Sequence, residues 1–168
     1  YVAGDSDIVE TYDVQGRLVS ISNRAGLTQT LLYENVTATY RRLIRVTDHF
    51  GRSLNFSYGG LGNLSTITDP SGGIFGYALD ANHVLTSVTY PDAKVRQYNG
   101  EILGHTEYLT GITDENGSRY STYGYGGNGY ATLSTLAGGA NKYTVSYNFN
   151  DGTATTATVV DGLNTTRI

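Results

Sequence analysis

The stretch YDVQGRLVSISNRAG, from Tyr12 to Gly26, contains two turn signals with a short apolar segment between them. Asp13 precedes Gly16 by three residues, and Asn23 precedes Gly26 by the same interval. An Asp or Asn side chain at the first position of a turn can accept hydrogen bonds from the following main chain, and Gly at the fourth position adopts a positive φ at little cost. The stretch therefore predicts one strand between two tight turns.

The same pattern recurs along the chain about every 22 residues. The Asx-x-x-Gly turns include Asp48–Gly51, Asp69–Gly72 and Asp114–Gly117, and Pro91-Asp92-Ala93 fills another place with Ala where Gly is expected. A series of tyrosines keeps the same period: Tyr12, Tyr33, Tyr58, Tyr77, Tyr98, Tyr123 and Tyr147. Further turn signals between these divide each period into two segments of strand length. We predict an all-β fold of tandem hairpins that form a continuous twisted antiparallel sheet.

The composition limits the classes of function. The chain has 168 residues, with 22 Gly, 15 Tyr and no Cys, Met or Trp, and its net charge is −4. The lack of cysteine excludes disulfides and thiolate metal sites. The acidic balance argues against a nucleic-acid partner, because such proteins carry a basic excess. No apolar run is long enough to span a membrane.

The sequence offers little for catalysis. The three histidines, His49, His83 and His105, lie far apart and lack metal-ligand spacing. Asp114 and Glu115 form the only adjacent acidic pair, and neighbours in a strand face opposite ways. We expect no catalytic, metal or cofactor site, and we predict that the chain is not an enzyme.

Three features have two interpretations each. The pairs Asp13 with Arg17 and Asp48 with Arg52 are either clamps across a turn or solvated surface charges. The tyrosines form either a ladder that stabilises the sheet or a platform for sugars, for which Tyr120, Tyr123, Tyr125 and Tyr130 are dense enough. A spacing of three, as between Leu64 and Ile67, predicts an apolar side chain on each face of the sheet.

These segments resemble the Rhs/YD-repeat family. Tyr12-Asp13-x-x-Gly16-Arg17-Leu18 is a full copy of its signature, and VTDHFGRSLNFSY (46–58), LSTITDPSGGIFGYALD (64–80), LTSVTYPDAKVRQY (85–98) and LTGITDENGSRYSTYGY (109–125) are similar. The sequence departs from the family where Gly follows Tyr58 and Tyr123, and where Asn63 and Tyr130 replace the expected Arg. The resemblance implies repeats that spiral into a hollow shell around a toxin. Asp69-Pro70-Ser71-Gly72 occurs once, which does not support the autoprotease that ends many family members.

The resemblance gives the following expectations. Residues 1–168 form one repeat region of about seven hairpins without a second domain, and serve as non-enzymatic wall of a shell that encapsulates a toxin. The alternatives are a self-assembling extracellular tube or filament subunit, and a cell-surface adhesion or glycan-binding module. The chain begins and ends inside repeat-like strands, which favours a segment or an edge-pairing subunit.

The expected partners are neighbouring repeats or identical subunits through edge strands, an enclosed toxin domain and a surface glycan, with no nucleic acid. The expected location is secreted or at the cell surface, with no signal segment in this chain. The expected structural repeat residues are Tyr12, Asp13, Gly16, Arg17, Tyr33, Asp48, Gly51, Tyr58, Asp69, Gly72, Tyr77, Tyr98, Asp114, Gly117, Tyr123 and Tyr147.

Overall fold

The computed structural model describes residues 2–3, 7–37, 40–60 and 62–168. These residues are almost entirely strands and turns, and the helical element among them is a 3₁₀ turn at Ala137–Gly139. Strand order follows sequence order, and the paired neighbouring strands are antiparallel, so the predicted all-β class of tandem hairpins is confirmed. Within this described part of the chain, no helix has the length and apolar character needed to cross a membrane.

The chain divides into two compact units, and the first is Tyr1–Gly76. Its strands run in order of sequence, and the last of them continues past the boundary. They are β1 (Val2–Ala3), β2 (Ile8–Tyr12), β3 (Leu18–Asn23), β4 (Thr28–Asn35), β5 (Arg41–Thr47), β6 (Ser53–Tyr58), β7 (Leu64–Thr68) and β8 (Ile74–Leu79).

The second unit is Tyr77–Ile168. It contains the end of β8 and eight further strands. They are β9 (Leu85–Thr89), β10 (Val95–Asn99), β11 (Gly111–Thr113), β12 (Arg119–Tyr125), β13 (Ala131–Leu136), β14 (Tyr143–Asn150), β15 (Thr153–Asp161) and β16 (Thr166–Arg167).

One turn geometry recurs in both units. The N–H of the first residue donates to the carbonyl of the fifth, and the N–H of the fourth donates back to the carbonyl of the first. The fourth residue has a positive φ; it is usually Gly, but it is His83, Ala93 or Asn164 in three turns. Turns of this kind begin at Asp13, Asn23, Asp48, Gly59, Asp69, Asp80, Tyr90, Asp114, Gly126 and Asp161.

A β-bulge changes the meaning of the three-residue spacing between Leu64 and Ile67, which predicted an apolar side chain on each face of the sheet. Tyr58 stands opposite Leu64 and Phe56 opposite Ile67, so Ser65 is an extra residue in β7. Directly opposed residues share a face, and so do residues two apart in an unbulged strand. Leu64 and Ile67 therefore lie on the same face, and the two-faced interpretation was wrong for this hairpin.

Among the described residues, the bulge has the same place in five hairpins. The extra residue directly follows one that stands opposite an aromatic residue near the end of the preceding strand. The opposed pairs are Tyr12–Leu18, Tyr33–Leu43, Tyr58–Leu64, Tyr125–Ala131 and Phe149–Ala154, and the extra residues are Val19, Ile44, Ser65, Thr132 and Thr155.

With the bulges in place, the faces of the first unit differ in chemistry. One face carries the rows Leu31–Val46–Leu54 and Phe56–Ile67–Phe75 of opposed residues. The other carries the row Ser20–Thr30–Thr47–Ser53, in which the Thr47 and Ser53 hydroxyls are 2.9 Å apart. The sheet of this unit thus has one apolar face and one face rich in hydroxyl groups.

Candidate functional site: a tyrosine clamp between consecutive hairpins

In the described part of the chain, four tyrosine hydroxyls donate to main-chain carbonyls in the preceding hairpin. Tyr33 donates to the Leu18 oxygen at 2.9 Å and Tyr58 to the Leu43 oxygen at 2.7 Å. In the second unit, Tyr125 donates to the Leu109 oxygen at 3.0 Å and Tyr147 to the Ala131 oxygen at 2.8 Å. Each bond spans 15 or 16 residues of sequence, so it joins one repeat to the one before it.

These carbonyls lie where two strands separate. Leu43 is two residues beyond Arg45–Asn55, the last opposed pair of β5 and β6. Leu18, Leu109 and Ala131 lie two residues beyond the last pairs of their own ladders. A main-chain carbonyl at such a place has left the cross-strand ladder and needs another donor. The tyrosine hydroxyl supplies that donor and extends the contact between neighbouring strands.

A second side chain covers the ring of each of these tyrosines. The Arg17 guanidinium carbon is 5.9 Å from the centre of the Tyr33 ring, and the Arg42 carbon is 4.5 Å from that of Tyr58. In the second unit another tyrosine takes this place, with ring centres 5.1 Å apart for Tyr108–Tyr125 and 5.0 Å apart for Tyr130–Tyr147. The covering residue directly precedes the carbonyl acceptor in all four cases. We call this set of covering residue, tyrosine and acceptor carbonyl the tyrosine clamp.

The covering arginines are themselves fixed by carboxylates. Arg17 Nε donates to Asp13 Oδ2 at 2.7 Å, and Arg42 Nε donates to Glu34 Oε1 at 2.5 Å. Asp13 Oδ1 also accepts from the main-chain N–H groups of Gln15 and Arg17. Hydrogen bonding from the Arg17 main chain, aided by its side chain, lowers the pKa of Asp13 below its usual value. One carboxylate therefore closes the turn and orients the clamp.

The two recurring charge pairs differ in their surroundings. The Arg17 side chain is 21% exposed and lies within a clamp, whereas that of Arg52 is 64% exposed at a turn on the opposite edge. Arg52 contacts the ring of Phe50, at 5.2 Å from its centre, within the same turn. The Asp13–Arg17 pair therefore connects two repeats, and the Asp48–Arg52 pair contacts only its own turn.

In the second unit the clamp is made by Tyr125, which lies two residues beyond Tyr123 of the tyrosine series. Tyr125 stands opposite Ala131 and directly precedes the turn at Gly126. The other tyrosines of the series have different contacts. Tyr12 donates to Glu10 Oε2 at 2.7 Å, and Tyr77 and Tyr98 lie within β8 and β10 and form no such clamp among the described residues.

The remaining predicted repeat residues lie in turns. Gly16 has the positive φ of the fourth position in the turn that begins at Asp13. Asp48, Asp69 and Asp114 begin turns at the other end of the strands, and each Oδ1 accepts from the main-chain N–H groups two and four residues later. Gly51, Gly72 and Gly117 have φ between 78° and 88° there.

Sequence reasoning missed the covering tyrosines. Tyr108 and Tyr130 directly precede Leu109 and Ala131, as Arg17 and Arg42 precede Leu18 and Leu43. The replacement of the expected Arg by Tyr130 therefore corresponds to a change in the side chain that covers the clamp tyrosine. A comparison of covering residue and tyrosine at a separation of 16 or 17 residues would have found all four pairs.

The candidate catalytic groups are engaged in turns and pairs. His83 holds the fourth position of a turn with φ 64°, and His105 contacts Glu107 at 2.9 Å. Asp114 begins a turn, while Glu115 pairs with Arg96 at 2.9 Å. Within residues 2–3, 7–37, 40–60 and 62–168, no group of three or more His, Asp or Glu side chains could hold a metal ion.

Comparison with known proteins gives a family match over part of the chain and a fold over nearly all of it. The model of the RHS repeat matches residues 42–74 and 60–95. No curated protein matches the chain in sequence. Among solved structures, it is similar to the Tc holotoxin pore of Photorhabdus luminescens with a mutant TccC3, at 15% identity and a TM-score of 0.59, covering 95% of this chain and 9% of that one.

Two further structures give the same result. The TcdB2–TccC3–Cdc42 structure matches at 15% identity with a TM-score of 0.56, covering 95% of this chain and 9% of that one. The TcdB2–TccC3 structure matches at 14% identity with a TM-score of 0.54, covering 94% and 9%. At these identities the likeness shows the fold alone. This chain spans about a tenth of the length of each matched chain.

Proposed function

We propose that this chain, which matches the RHS repeat over residues 42–95, is a structural segment of Rhs repeats and forms the wall of a shell that encloses a toxin polypeptide for delivery to other cells. The observation that carries the proposal is the tyrosine clamp. It recurs four times at one place in the hairpin, and its covering side chain changes from Arg to Tyr without loss of the hydroxyl–carbonyl bond. Such a device joins neighbouring repeats through a side-chain contact to the main chain, which supports a structural wall.

The lack of an internal core supports the same role. Val88 is the only buried hydrophobic residue among those described. The chain exposes 11,056 Å², whereas one compact globule of its mass would expose about 8,100 Å² and two half-size globules about 9,700 Å². Repeat sheets gain burial from what lies beside them. Further repeats, and an enclosed polypeptide, would supply that burial in a larger protein.

The proposal extends to the surroundings of the chain. Its partners would be neighbouring repeats of the same polypeptide and an enclosed toxin domain, and the place of action would be outside the producing cell or at its surface. All 168 residues would form one repeat region of about seven hairpins. The enclosing activity would belong to a protein much longer than this chain, in keeping with the small share of the matched structures that it spans.

Protease protection in the natural parent protein tests the proposal. The intact mass of the parent would be measured first, and then the rate at which trypsin cleaves the segment that follows the repeats. We expect that segment to be cleaved at least tenfold more slowly in the native protein than after unfolding in urea, because the wall excludes the protease. Equal rates, or a native mass near 18.1 kDa, would reject the shell.

Two observations favour the alternatives. Tyr130, Tyr147 and Phe149 form an aromatic cluster in which Tyr130 is 37% and Phe149 44% exposed, as a glycan-binding surface would require. Neighbouring strands pair along their length, as β14 and β15 do at eight positions, and a filament would repeat this pairing between identical subunits. A glycan array tests the first alternative, and electron microscopy of the chain at high concentration tests the second.

A further inference from the structure

Residues 100–110 connect β10 to β11. In other hairpins, five-residue turns that begin at Asp13, Gly59 and Gly126 make the corresponding connection. The loop begins after Asn99 and is fixed at its base, since Thr110 N–H donates to the Asn99 oxygen at 2.7 Å. The two guanidinium NH₂ groups of Arg119 hold the Glu101 carboxylate at 2.8 and 2.9 Å. Further along, Thr106 Oγ1 donates to Asp80 Oδ2 at 2.9 Å. The loop is therefore attached to both neighbouring hairpins of the second unit.

Three glycines allow the loop and its partner side chains to approach the main chain closely. A Cβ at Gly100 would lie 2.2 Å from the Thr106 carbonyl oxygen, and a Cβ at Gly111 would lie 2.2 Å from the Arg119 guanidinium. A Cβ at Gly129 would lie 2.6 Å from the Tyr108 hydroxyl. The loop thus fits the repeats on either side at three separate points, which indicates a defined conformation rather than a loose insertion.

A cleft of about 140 Å³ lies between this loop and the strands beside it. Its walls are largely apolar and come from Val84, Leu85, Tyr98 and Leu109. Thr106 and Glu107 of the loop add two polar groups to the lining. The Glu107 side chain is 54% exposed, so its carboxylate is open to solvent. The cleft therefore combines apolar walls with one acidic residue.

The carboxylate of Glu107 is oriented by its neighbour in the loop. His105 Nδ1 lies 2.9 Å from Glu107 Oε1, and the imidazole stacks on the Tyr108 ring with centres 5.1 Å apart. This contact with His105 lowers the pKa of Glu107 below its usual value, so the group is ionised at neutral pH. The Glu107 side chain remains more than half exposed, so the carboxylate is accessible to a ligand.

We propose that this cleft binds the side chain of a lysine presented by a partner polypeptide. The four-carbon stem would lie against Val84, Leu85 and Leu109, and the ammonium would meet the exposed carboxylate of Glu107. Lysine side chains place an apolar stem and a charged end in this way. Arginine fits less well, because its planar fork matches two carboxylate oxygens and His105 already engages one of them. The site is an addition to the proposed wall function and does not depend on it.

The test uses nuclear magnetic resonance of the ¹⁵N-labelled 168-residue chain. The probe is Nα-acetyl-lysine N-methylamide, and the matched control is the norleucine analogue, which has the same stem without the ammonium. We expect shifts confined to residues 84–85, 98–100 and 106–109, with a dissociation constant on the order of 1–10 mM. The norleucine analogue should bind about fivefold more weakly, as an exposed charge pair predicts.

Two variants make the test specific. Glu107→Gln should abolish the difference between the lysine and norleucine probes, while His105→Ala should keep it and improve binding of the arginine analogue. Both positions are exposed, and the same spectra report whether each variant is folded. Equal binding of the two probes to the natural chain, or no shift up to about 50 mM, would overturn the proposal. Binding of free butylamine without binding of the lysine probe would also overturn it, since the site would then take small amines.

Discussion

The guanidinium carbon of Arg42 lies 4.5 Å from the centre of the Tyr58 ring, and the hydroxyl of that ring donates to the carbonyl of Leu43, the residue after Arg42. Two neighbouring residues of one hairpin thus hold both the face and the end of a single tyrosine from the next. Burial among these groups also raises the pKa of Tyr58, so its hydroxyl keeps its proton at neutral pH.

The hydroxyl of Tyr58 should contribute measurably to folding. Replacement of Tyr58 by Phe leaves the Leu43 carbonyl without this donor, and we expect the free energy of unfolding to fall by about 1 kcal/mol. Urea denaturation followed by circular dichroism measures the change. Tyr120→Phe is the matched control, because Tyr120 is 49% exposed and lies outside the clamps. Equal losses in the two variants would show that the clamp does not stabilise the sheet.

The covering residue should be exchangeable between Arg and Tyr. Tyr130→Ala removes the ring that contacts Tyr147, and we expect a loss of about 1 kcal/mol of unfolding free energy. Tyr130→Arg should recover at least half of that loss, because a guanidinium can cover the ring as Arg42 covers Tyr58. Thermal or urea unfolding of both variants gives the comparison. If Tyr130→Arg were as unstable as Tyr130→Ala, the two kinds of clamp would not be equivalent.

Ala93 is placed where other turns have glycine. Its φ is 64°, a conformation that costs an L-residue about 1–2 kcal/mol. Ala93→Gly relieves this cost but adds backbone entropy to the unfolded chain, so we expect a net gain of about 0.5–1 kcal/mol. Ala78→Gly in strand β8 is the control and should destabilise the chain. A loss of stability in Ala93→Gly, measured by urea denaturation, would contradict this account of the turn.

The turn aspartates should make the fold sensitive to acid. Hydrogen bonds from the main chain four residues on are the first cause of a lowered pKa at Asp13, Asp80 and Asp161. A lowered folded-state pKa stabilises the chain above the unfolded value of 3.8, and this stabilisation is lost as the pH falls through the lower folded values. The urea midpoint should therefore decrease below about pH 4.

Asn23 suggests the variant that checks this dependence. Asn23 Oδ1 accepts from Leu27 N–H in the manner of the aspartates, but it carries no charge. Asp80→Asn should keep the turn and weaken the decrease of stability with acid, because one of the titrating groups is removed. An unchanged slope between pH 5 and 3 in this variant would mean that Asp80 does not contribute to it.

The hairpin period could be predicted from sequence because its turns depend on local chemistry. Asp48 and Gly51 specify a turn through their own side-chain and backbone preferences, whatever the rest of the chain does. The bulges could not be predicted in this way. The sequence spacing places Leu64 and Ile67 on opposite faces of a regular strand. They share a face because Ser65 is an extra residue, and only the pairing of β6 with β7 shows this.

The tyrosine clamp depends on contacts between strands, so the sequence period identifies only some of its residues. Tyr33 and Tyr58 were identified by their period, but the period also selected Tyr123, whose neighbour Tyr125 stands at the turn. The tyrosine hydroxyls donate to main-chain carbonyls. Every residue type has such a carbonyl, so the sequence does not indicate which one is the acceptor. The loop 100–110 was missed because its attachments to Asp80 and Arg119 come from other hairpins.

Because each tyrosine bond reaches only the preceding hairpin, a load along the chain would meet these bonds one after another. Within each unit, a hairpin of about 22 residues could detach and leave the clamps beyond it intact. Every such release would lengthen the chain by about 75 Å, the extended length of the freed residues. A wall made this way would extend under tension in steps, one for each hairpin that detaches. At each step the hairpins that have not detached would keep their clamps.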